Sequence, residues 1–254
     1  MKIEQESPSM VESTHSDRIS EELSPEDLQR IAGAGIDEVK RGDDQNNLIF
    51  GNDGNDTIYG EGGDDRLVGD NSGNSDQSHD GHDALYGGSG HDTIWGCGGD
   101  DTIQGDSGDD VLYGDFGGSD SNGGHEGDDF IEGGSGNDRI YGQGGDDLLK
   151  GDSGNDTLYG GDGHDTLQGG SDDDVLTGGS GFDTYVFGSE DGNDRITDFN
   201  FQDDRLVFQG LTSLDDLSVT SSDGNTVITF GDTTVTLSGV VLTAEQLAWV
   251  VRGA

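Results

Sequence analysis

From Gly51 to Phe187 an apolar or aromatic residue recurs every ninth position, and thirteen copies of the pattern G-G-x-G-x-D-x-U-x place it at U. Side chains alternate along a strand, so x-U-x predicts a short strand whose U residue faces inwards. The glycine-rich six residues before it predict a tight turn. The thirteen U residues are Ile58, Leu67, Leu85, Ile94, Ile103, Leu112, Ile131, Ile140, Leu149, Leu158, Leu167, Leu176 and Tyr185.

Most copies follow one another without a gap, as in GGSGNDRIY and GQGGDDLLK from Gly133. Two copies, ending in GHDALY and GDDFIE, contain long polar inserts at 70–80 and 115–126. A degenerate copy, GDDQNNLIF, opens the array with Asn47 in place of the aspartate, and a stretched copy surrounds Asp194. We therefore expect a stack of turns and strands over 42–198.

The residues on either side of the array follow other patterns. After Gln209, the alternating stretches LSVTSS, NTVITF and TTVTLSGV predict a short β-meander, and LTAEQLAWVVRGA predicts a terminal helical turn with Trp249 on a capping surface. Before the array, Ser24 can N-cap a short helix near 24–32, with Pro25 in its first position. The predicted domains are 1–41, mostly disordered, 42–198, the repeat array, and 199–254, a β cap.

The N-terminal stretch LSPEDLQRIAGAG resembles the double-glycine leader of peptides exported by ABC transporters with a cysteine-peptidase domain. The residues that match the leader pattern are Leu23, Ser24, Asp27, Leu28, Ile31, Gly33 and Ala34. This resemblance implies cleavage after Ala34, which stands where a second glycine is commonest. The alternative is a helical cap on the first coil of the array.

The negative charge of the chain limits the classes of molecule that we expect it to bind. The formal net charge is -44, and 42–187 contains 34 acidic residues against 3 basic ones, an excess of 31. Such a chain repels nucleic acid and anionic lipid, so we expect neither as a partner. The sequence has no apolar stretch long enough to span a membrane and no Sec signal peptide. The single cysteine, Cys97, excludes an intramolecular disulfide.

An aspartate occupies position six of every copy: Asp56, Asp65, Asp83, Asp92, Asp101, Asp110, Asp129, Asp138, Asp147, Asp156, Asp165, Asp174 and Asp183. If two repeats form one coil, turns eighteen residues apart stack on the same edge at a spacing of about 4.8 Å. Carboxylate and carbonyl oxygens are the ligands that Ca²⁺ prefers, about six to eight of them per ion. The spacing therefore predicts calcium ions between successive turns.

These motifs resemble the RTX family of calcium-binding nonapeptide repeats over Gly42 to about Asp198. The resemblance implies an all-β fold, a right-handed parallel β-roll, in which position-six aspartates and backbone carbonyls of positions one to four hold each ion. The predicted carbonyl ligands include the position-four glycines Gly54, Gly63, Gly90, Gly99, Gly108, Gly136, Gly145, Gly154, Gly163 and Gly181. Asp172 departs from glycine at this position. Thirteen turns in two edge columns allow at most 13 − 2 = 11 ions.

Two alternatives explain the same residues less well. A flexible acidic linker would not keep a nine-residue phase with an apolar or aromatic eighth position. No twelve-residue stretch has the glycine and glutamate placement of an EF-hand loop.

Other side chains are open to two interpretations. Position nine carries Tyr59, Tyr86, Trp95, Tyr113, Tyr141 and Tyr159, which form either a cross-strand ladder, the interpretation we favour, or a platform for a glycan or surface partner. His82, His91 and His164 at position five are either exposed spacers, which we favour, or ligands of a zinc ion.

The sequence contains no H-E-x-x-H and no G-x-S-x-G motif, so we expect no catalytic domain. The resemblance implies a secreted protein, exported by the type I (ABC) secretion machinery with its C-terminal region as the signal, that folds on extracellular calcium. Alternative roles are an extracellular adhesin, matrix or glycan-binding module, or an export and stabilising partner of an enzyme on another chain. Calcium buffering is a third.

Overall fold

The repeats form two parallel β-sheets, and strands alternate between them along the chain. The computed structural model describes residues 37–70, 81–115 and 126–253. The ten-stranded sheet has the order β1-β3-β5-β7-β9-β11-β13-β15-β17-β21, with strands β1 (Val39–Arg41), β3 (Thr57–Gly62), β5 (Ala84–Ser89), β7 (Thr102–Ser107), β9 (Phe130–Ser135), β11 (Leu148–Ser153), β13 (Thr166–Ser171), β15 (Thr184–Phe187), β17 (Arg205–Phe208) and β21 (Val251–Gly253).

The second sheet has eleven strands in the order β18-β19-β20-β16-β14-β12-β10-β8-β6-β4-β2. Its strands are β2 (Leu48–Phe50), β4 (Arg66–Val68), β6 (Thr93–Cys97), β8 (Val111–Asp115), β10 (Arg139–Gly144), β12 (Thr157–Asp162), β14 (Val175–Ser180), β16 (Asn193–Ile196), β18 (Ser218–Ser222), β19 (Asn225–Phe230) and β20 (Thr233–Leu237).

The strand register follows the repeat. Ile140 of β10 pairs with Leu158 of β12, one coil of eighteen residues later. Where an insert intervenes in the sequence, Ile58 pairs with Leu85, so the strands on either side of it keep their alignment. Most strands run past the predicted triplet into positions one to three of the next repeat, because the parallel pairing resumes after the position-one glycine.

Each strand of the array contributes one U residue to the interior. All thirteen predicted U residues are completely buried and belong to one apolar cluster. At the C-terminal end this cluster widens into aromatic contacts, with ring centroids 5.6 Å apart between Phe187 and Phe208 and 5.6 Å apart between Phe208 and Phe230. The larger side chains close the end of the narrow core.

The C-terminal region extends both sheets. The predicted meander is confirmed as β18, β19 and β20, which pair antiparallel, and β20 pairs parallel with β16. Parallel pairing in the other sheet continues beyond residue 198 to β17 and β21. Helix α1 (Ala244–Val250) is N-capped by Thr243, whose side chain accepts from the backbone N–H of Gln246.

Three predictions fall outside the described residues: the helix near 24–32, the leader-like stretch and most of both inserts. The domain boundaries stay predictions as well. Among residues 37–70, 81–115 and 126–253, no helix is both long and apolar enough to cross a membrane.

Candidate metal centre

The position-six aspartates are buried inside the turns. All thirteen retain only 1–3% of their surface accessible. Each accepts a hydrogen bond at Oδ1 from the backbone N–H of the residue one coil earlier in the chain, at 2.7–3.1 Å. The carboxylates are therefore held in fixed rows by the backbone.

The rows form two edge columns, one in the turns leading into each sheet. Edge column A contains Asp56, Asp83, Asp101, Asp129, Asp147, Asp165, Asp183 and Asp204. Edge column B contains Asp65, Asp92, Asp110, Asp138, Asp156, Asp174 and Asp194.

Both columns cross the inserts without a break. In edge column A the N–H of Asp56 reaches Asp83 Oδ1 at 2.7 Å over 27 residues, and in edge column B that of Asp110 reaches Asp138 Oδ1 at 2.7 Å over 28 residues. Each column also ends one carboxylate beyond the thirteen repeats, at Asp194 and Asp204. Asp194 lies in the stretched copy expected from the sequence, whereas Asp204 was missed because no G-G-x-G turn precedes it.

The second oxygen of these carboxylates is unsatisfied. In the described part of the chain, Oδ2 of all the column aspartates except Asp183 and Asp204 is buried without a hydrogen-bond partner. Leaving a buried acceptor unpaired costs about 1–3 kcal/mol, and more for a charged group. So many charged atoms of the same kind, all orphaned inside one fold, indicate that a cation completes the site.

The position-one glycines shape the space beside these oxygens. A Cβ added to Gly51 would lie closer than 3.0 Å to Asp56 Oδ2 and to the carbonyl oxygen of Gly69 in the next coil. The same clash, with the repeat's own aspartate and the next position-one carbonyl, recurs at Gly60, Gly69, Gly87, Gly96, Gly105, Gly114, Gly133, Gly142, Gly151 and Gly160. These glycines do not have positive φ angles, so close approach alone requires them.

Burial makes the charged form of these groups unfavourable. Desolvation, the largest cause, raises the pKa of Asp138 to about 6 and that of Asp147 and Asp156 to about 8, from an ordinary 3.8. Coulombic repulsion adds to the effect, since Asp129 and Asp165 both raise the pKa of Asp147. A bound cation would counteract both effects and keep the carboxylates ionised.

The donor set fits calcium. Carboxylate and carbonyl oxygens are the hard ligands that Ca²⁺ takes in numbers of six to eight. Among the described residues, no group of three or more His, Cys, Asp or Glu side chains is placed to hold a metal, so a site here needs backbone carbonyls as well. Two stacked turns supply both.

A family model identifies the repeats. The model of the RTX calcium-binding nonapeptide repeat matches residues 41–74, 79–112, 86–119, 123–158 and 150–185, together more than half of the chain. The chain belongs to the RTX calcium-binding nonapeptide repeat family. The matched RTX repeats contain strands β2 to β14 of both sheets, and they make this a calcium-binding repeat protein.

Solved structures with similar chains include two bacterial proteins. The extracellular lipase of Serratia marcescens is 24% identical over 90% of this chain and 42% of its own, with a TM-score of 0.38. A subunit of the mannuronan C5-epimerase of Azotobacter vinelandii is 25% identical over 61% of this chain and 80% of its own, with a TM-score of 0.31. This RTX chain thus spans less than half of the lipase. No curated protein matches it.

The position-four glycines of the RTX repeats lie in rows of their own. A Cβ at Gly90 would lie closer than 3.0 Å to the carbonyl oxygen of Gly63, one coil earlier, and similar close approaches recur along both edges. The ten position-four glycines predicted as carbonyl ligands have positive φ angles, for example 137° at Gly90 and 141° at Gly163. Asp172, the one departure, has a φ of 82°, a conformation that costs a side-chain-bearing residue about 1–2 kcal/mol.

Position five forms a second ladder that sequence reasoning missed. Here the side chain of one coil accepts from the backbone N–H of the next, opposite in direction to the aspartate ladder, as in Asp128 Oδ1 with Asp146 N at 2.7 Å. His82 and His91 take part through Nδ1, which accepts from Asp100 N and Asp109 N, both at 2.8 Å. The signal in the sequence was the restriction of position five to Asn, Asp and His, all short acceptors, with one exception.

The outward aromatic residues stack across strands. Trp95, Tyr113, Tyr141 and Tyr159 form a four-ring aromatic ladder, with centroids 5.8, 4.9 and 5.0 Å apart and planes within 8° of parallel. Their faces cover one another, which fits a stabilising ladder. The Tyr113 and Tyr141 contact bridges the second insert, so counting eighteen residues did not reveal it.

Proposed function

We propose that this RTX protein is secreted by the type I machinery and that its roll folds when it binds calcium outside the cell. The observation that carries the proposal is the pair of edge columns, in which buried carboxylates stack and all but two of them, Asp183 and Asp204, have an unsatisfied oxygen. The proposed ligands are the position-six aspartate side chains and the carbonyls of positions one to four, including the position-four glycines. No catalytic role is assigned to the chain.

Charge makes folding depend on calcium. Without cations, the folded chain would bury its columns of carboxylates beside one another, whereas the unfolded chain keeps them in water. Any ion that binds only the folded chain stabilises it by RT ln(1 + [Ca²⁺]/Kd) at each site. Extracellular calcium modules have Kd values of about 10⁻⁴ to 10⁻³ M, so cytosolic calcium leaves such sites empty and the chain extended for export.

The columns also bear on the number of ions. The thirteen repeats allow at most 11 ions, and the added steps from Asp174 to Asp194 and from Asp183 to Asp204 raise the upper limit to 13. The test is a calcium titration of metal-free protein at pH 7.5, with far-UV circular dichroism for folding and equilibrium dialysis for stoichiometry. We expect a cooperative gain of β structure with many ions bound per chain. A β-rich spectrum in excess chelator would reject the proposal.

A binding role for the folded roll is a second candidate. The aromatic ladder lies on the outer surface of the eleven-stranded sheet. Arg139 lies on the same surface, where it aligns with Val111 and Thr157 of the neighbouring strands. The residues of the ladder remain partly exposed there, and Tyr159, at the end of the stack, is 38% exposed. A glycan array probed with the wild type and with Tyr159→Ala tests this role, and equal binding by both proteins would argue against it.

An alternative role is that of an export or stabilising partner for an enzyme on another chain. Co-purification of a catalytic subunit with this protein from culture medium would support it.

A further inference from the structure

The first coil departs from the RTX repeat at the start of edge column A. Glu38 stands at position six, eighteen residues before Asp56, because its N–H donates to Asp56 Oδ1 at 2.7 Å and its carbonyl accepts from Thr57 N at 2.8 Å. In the pairing of β1 with β3, Lys40 aligns with Ile58. A lysine therefore takes the inward position that an apolar residue occupies in every complete repeat.

The ammonium group of Lys40 contacts three oxygens. Its Nζ lies 2.7 Å from Glu38 Oε2, 2.6 Å from the carbonyl oxygen of Gly51 and 2.5 Å from that of Phe50. An ammonium group has three N–H donors, so this set satisfies it completely. The lysine side chain is 22% exposed and that of Glu38 is 38% exposed, so the ion pair is partly buried.

Two of these oxygens match the groups that frame each orphaned carboxylate elsewhere. In the complete repeats, the position-six Oδ2 and the position-one carbonyl of the next coil share one space, as Asp56 Oδ2 and Gly69 O do beside Gly51. Glu38 Oε2 and Gly51 O are the corresponding pair at the end of the column, and Lys40 Nζ bridges them. The ammonium thus lies where the rest of the column leaves oxygens unsatisfied.

Edge column B meets the same end differently. The neutral side chain of Asn47 replaces the aspartate, and the backbone N–H of Asn47 donates to Asp65 Oδ1 at 2.7 Å. Its own Oδ1 accepts from Asp43 N at 2.8 Å. Both columns therefore begin with a turn whose position-six group carries no uncompensated negative charge, one through a lysine and one through an amide.

We propose that Lys40 is a built-in cation that replaces a calcium ion at the start of edge column A, so that the first coil closes without metal. The inference rests on the proposed calcium sites of the roll, and it adds that the ion column begins only after Asp56. A tethered ammonium needs no free calcium, so the N-terminal coil stays attached to the roll over the whole calcium range in which the roll is folded.

The test counts calcium ions in matched variants. Lys40→Met keeps the stem and removes the charge, and Lys150→Met is the control, because Lys150 also pairs with a glutamate at 2.7 Å but faces outwards. Equilibrium dialysis in saturating calcium should give one more bound ion per chain for Lys40→Met than for the wild type. The double variant Glu38→Gln/Lys40→Met, which lacks both charges, and Lys150→Met should bind the wild-type number.

The outcomes separate the two proposals. If the wild type binds no calcium, the proposed function fails. If the wild type binds many ions and Lys40→Met binds the same number, or does not fold in saturating calcium, only the role of Lys40 is wrong. Hydrogen exchange of the Thr57 amide gives a second readout: its protection should depend more steeply on calcium in Lys40→Met than in Lys150→Met.

Discussion

Replacing Asp147 by asparagine removes one charge from the middle of edge column A and little else. Asp147 is 2% exposed, its Oδ1 accepts from Asp129 N at 2.9 Å and its N–H donates to Asp165 Oδ1 at 3.0 Å. An asparagine has the same shape, and its amide oxygen can keep the bond from Asp129. The substitution therefore isolates the charge that calcium would need.

The expected loss in saturating calcium is about 3–5 kcal/mol, the cost of removing one partner from a buried charge pair. Asp146→Asn is the matched control, because Asp146 is the adjacent, exposed residue and accepts from His164 N at 2.7 Å, a bond that asparagine retains. Its effect should stay within about 0.5 kcal/mol. Asp147→Ala should lose a further 1–3 kcal/mol or so, because the N–H of Asp129 is then buried without an acceptor.

The assay is urea unfolding in saturating calcium, followed by far-UV circular dichroism and by the fluorescence of Trp95 and Trp249. The reasoning would be refuted if Asp147→Asn and Asp146→Asn unfolded at the same urea concentration. In that case the hydrogen-bonded shape of the aspartates would stabilise the roll, and their charge would not.

Three further substitutions or conditions test separate parts of the account. In calcium-free buffer, burial raises the pKa of column carboxyls, for example that of Asp156 to about 8. The folded chain therefore binds more protons than the unfolded chain, and the free energy of unfolding rises as pH falls from about 8 towards 4. Circular dichroism should show more β structure at pH 4.5 than at pH 7.5, and identical spectra would contradict this. Gly160→Ala places a Cβ closer than 3.0 Å to Asp165 Oδ2. The free energy of unfolding in saturating calcium, measured by urea unfolding, should therefore fall by about 1–3 kcal/mol, and no change would rule out the close-approach argument. Asp172 has a φ of 82°, which glycine adopts without strain. In urea unfolding, the free energy of unfolding of Asp172→Gly should therefore be about 1 kcal/mol higher than that of Asp172→Ala. Equal stability of the two variants would show that the backbone there is not strained.

The regular part of the fold could be predicted from the sequence because one nine-residue phase determines it. An apolar residue at U can only be buried if its strand stacks on the next one, and a position-six aspartate follows the same phase into the turn. Even Asp83 and Asp129, which come after inserts, keep their places in the column. The strands on either side of each insert keep the phase of the repeat.

The ends of the columns could not be predicted in the same way. Asp204 and Glu38 take position six without a preceding G-G-x-G turn, and they are placed by strand pairing with β15 and β3. Counting eighteen residues back from Asp56 would have reached Glu38, but a lysine at the inward position masked the match. The position-five ladder could not be predicted from the eighteen-residue stacking alone, because that spacing does not show which side chains accept from backbone N–H groups.

The central claim is that calcium between stacked carboxylates holds the roll together. Differential scanning calorimetry of metal-stripped protein at pH 7.5, compared with the same protein in saturating calcium, tests it most directly. We predict a cooperative unfolding transition with calcium and none without it. A cooperative transition at high temperature in the metal-stripped sample would contradict the claim.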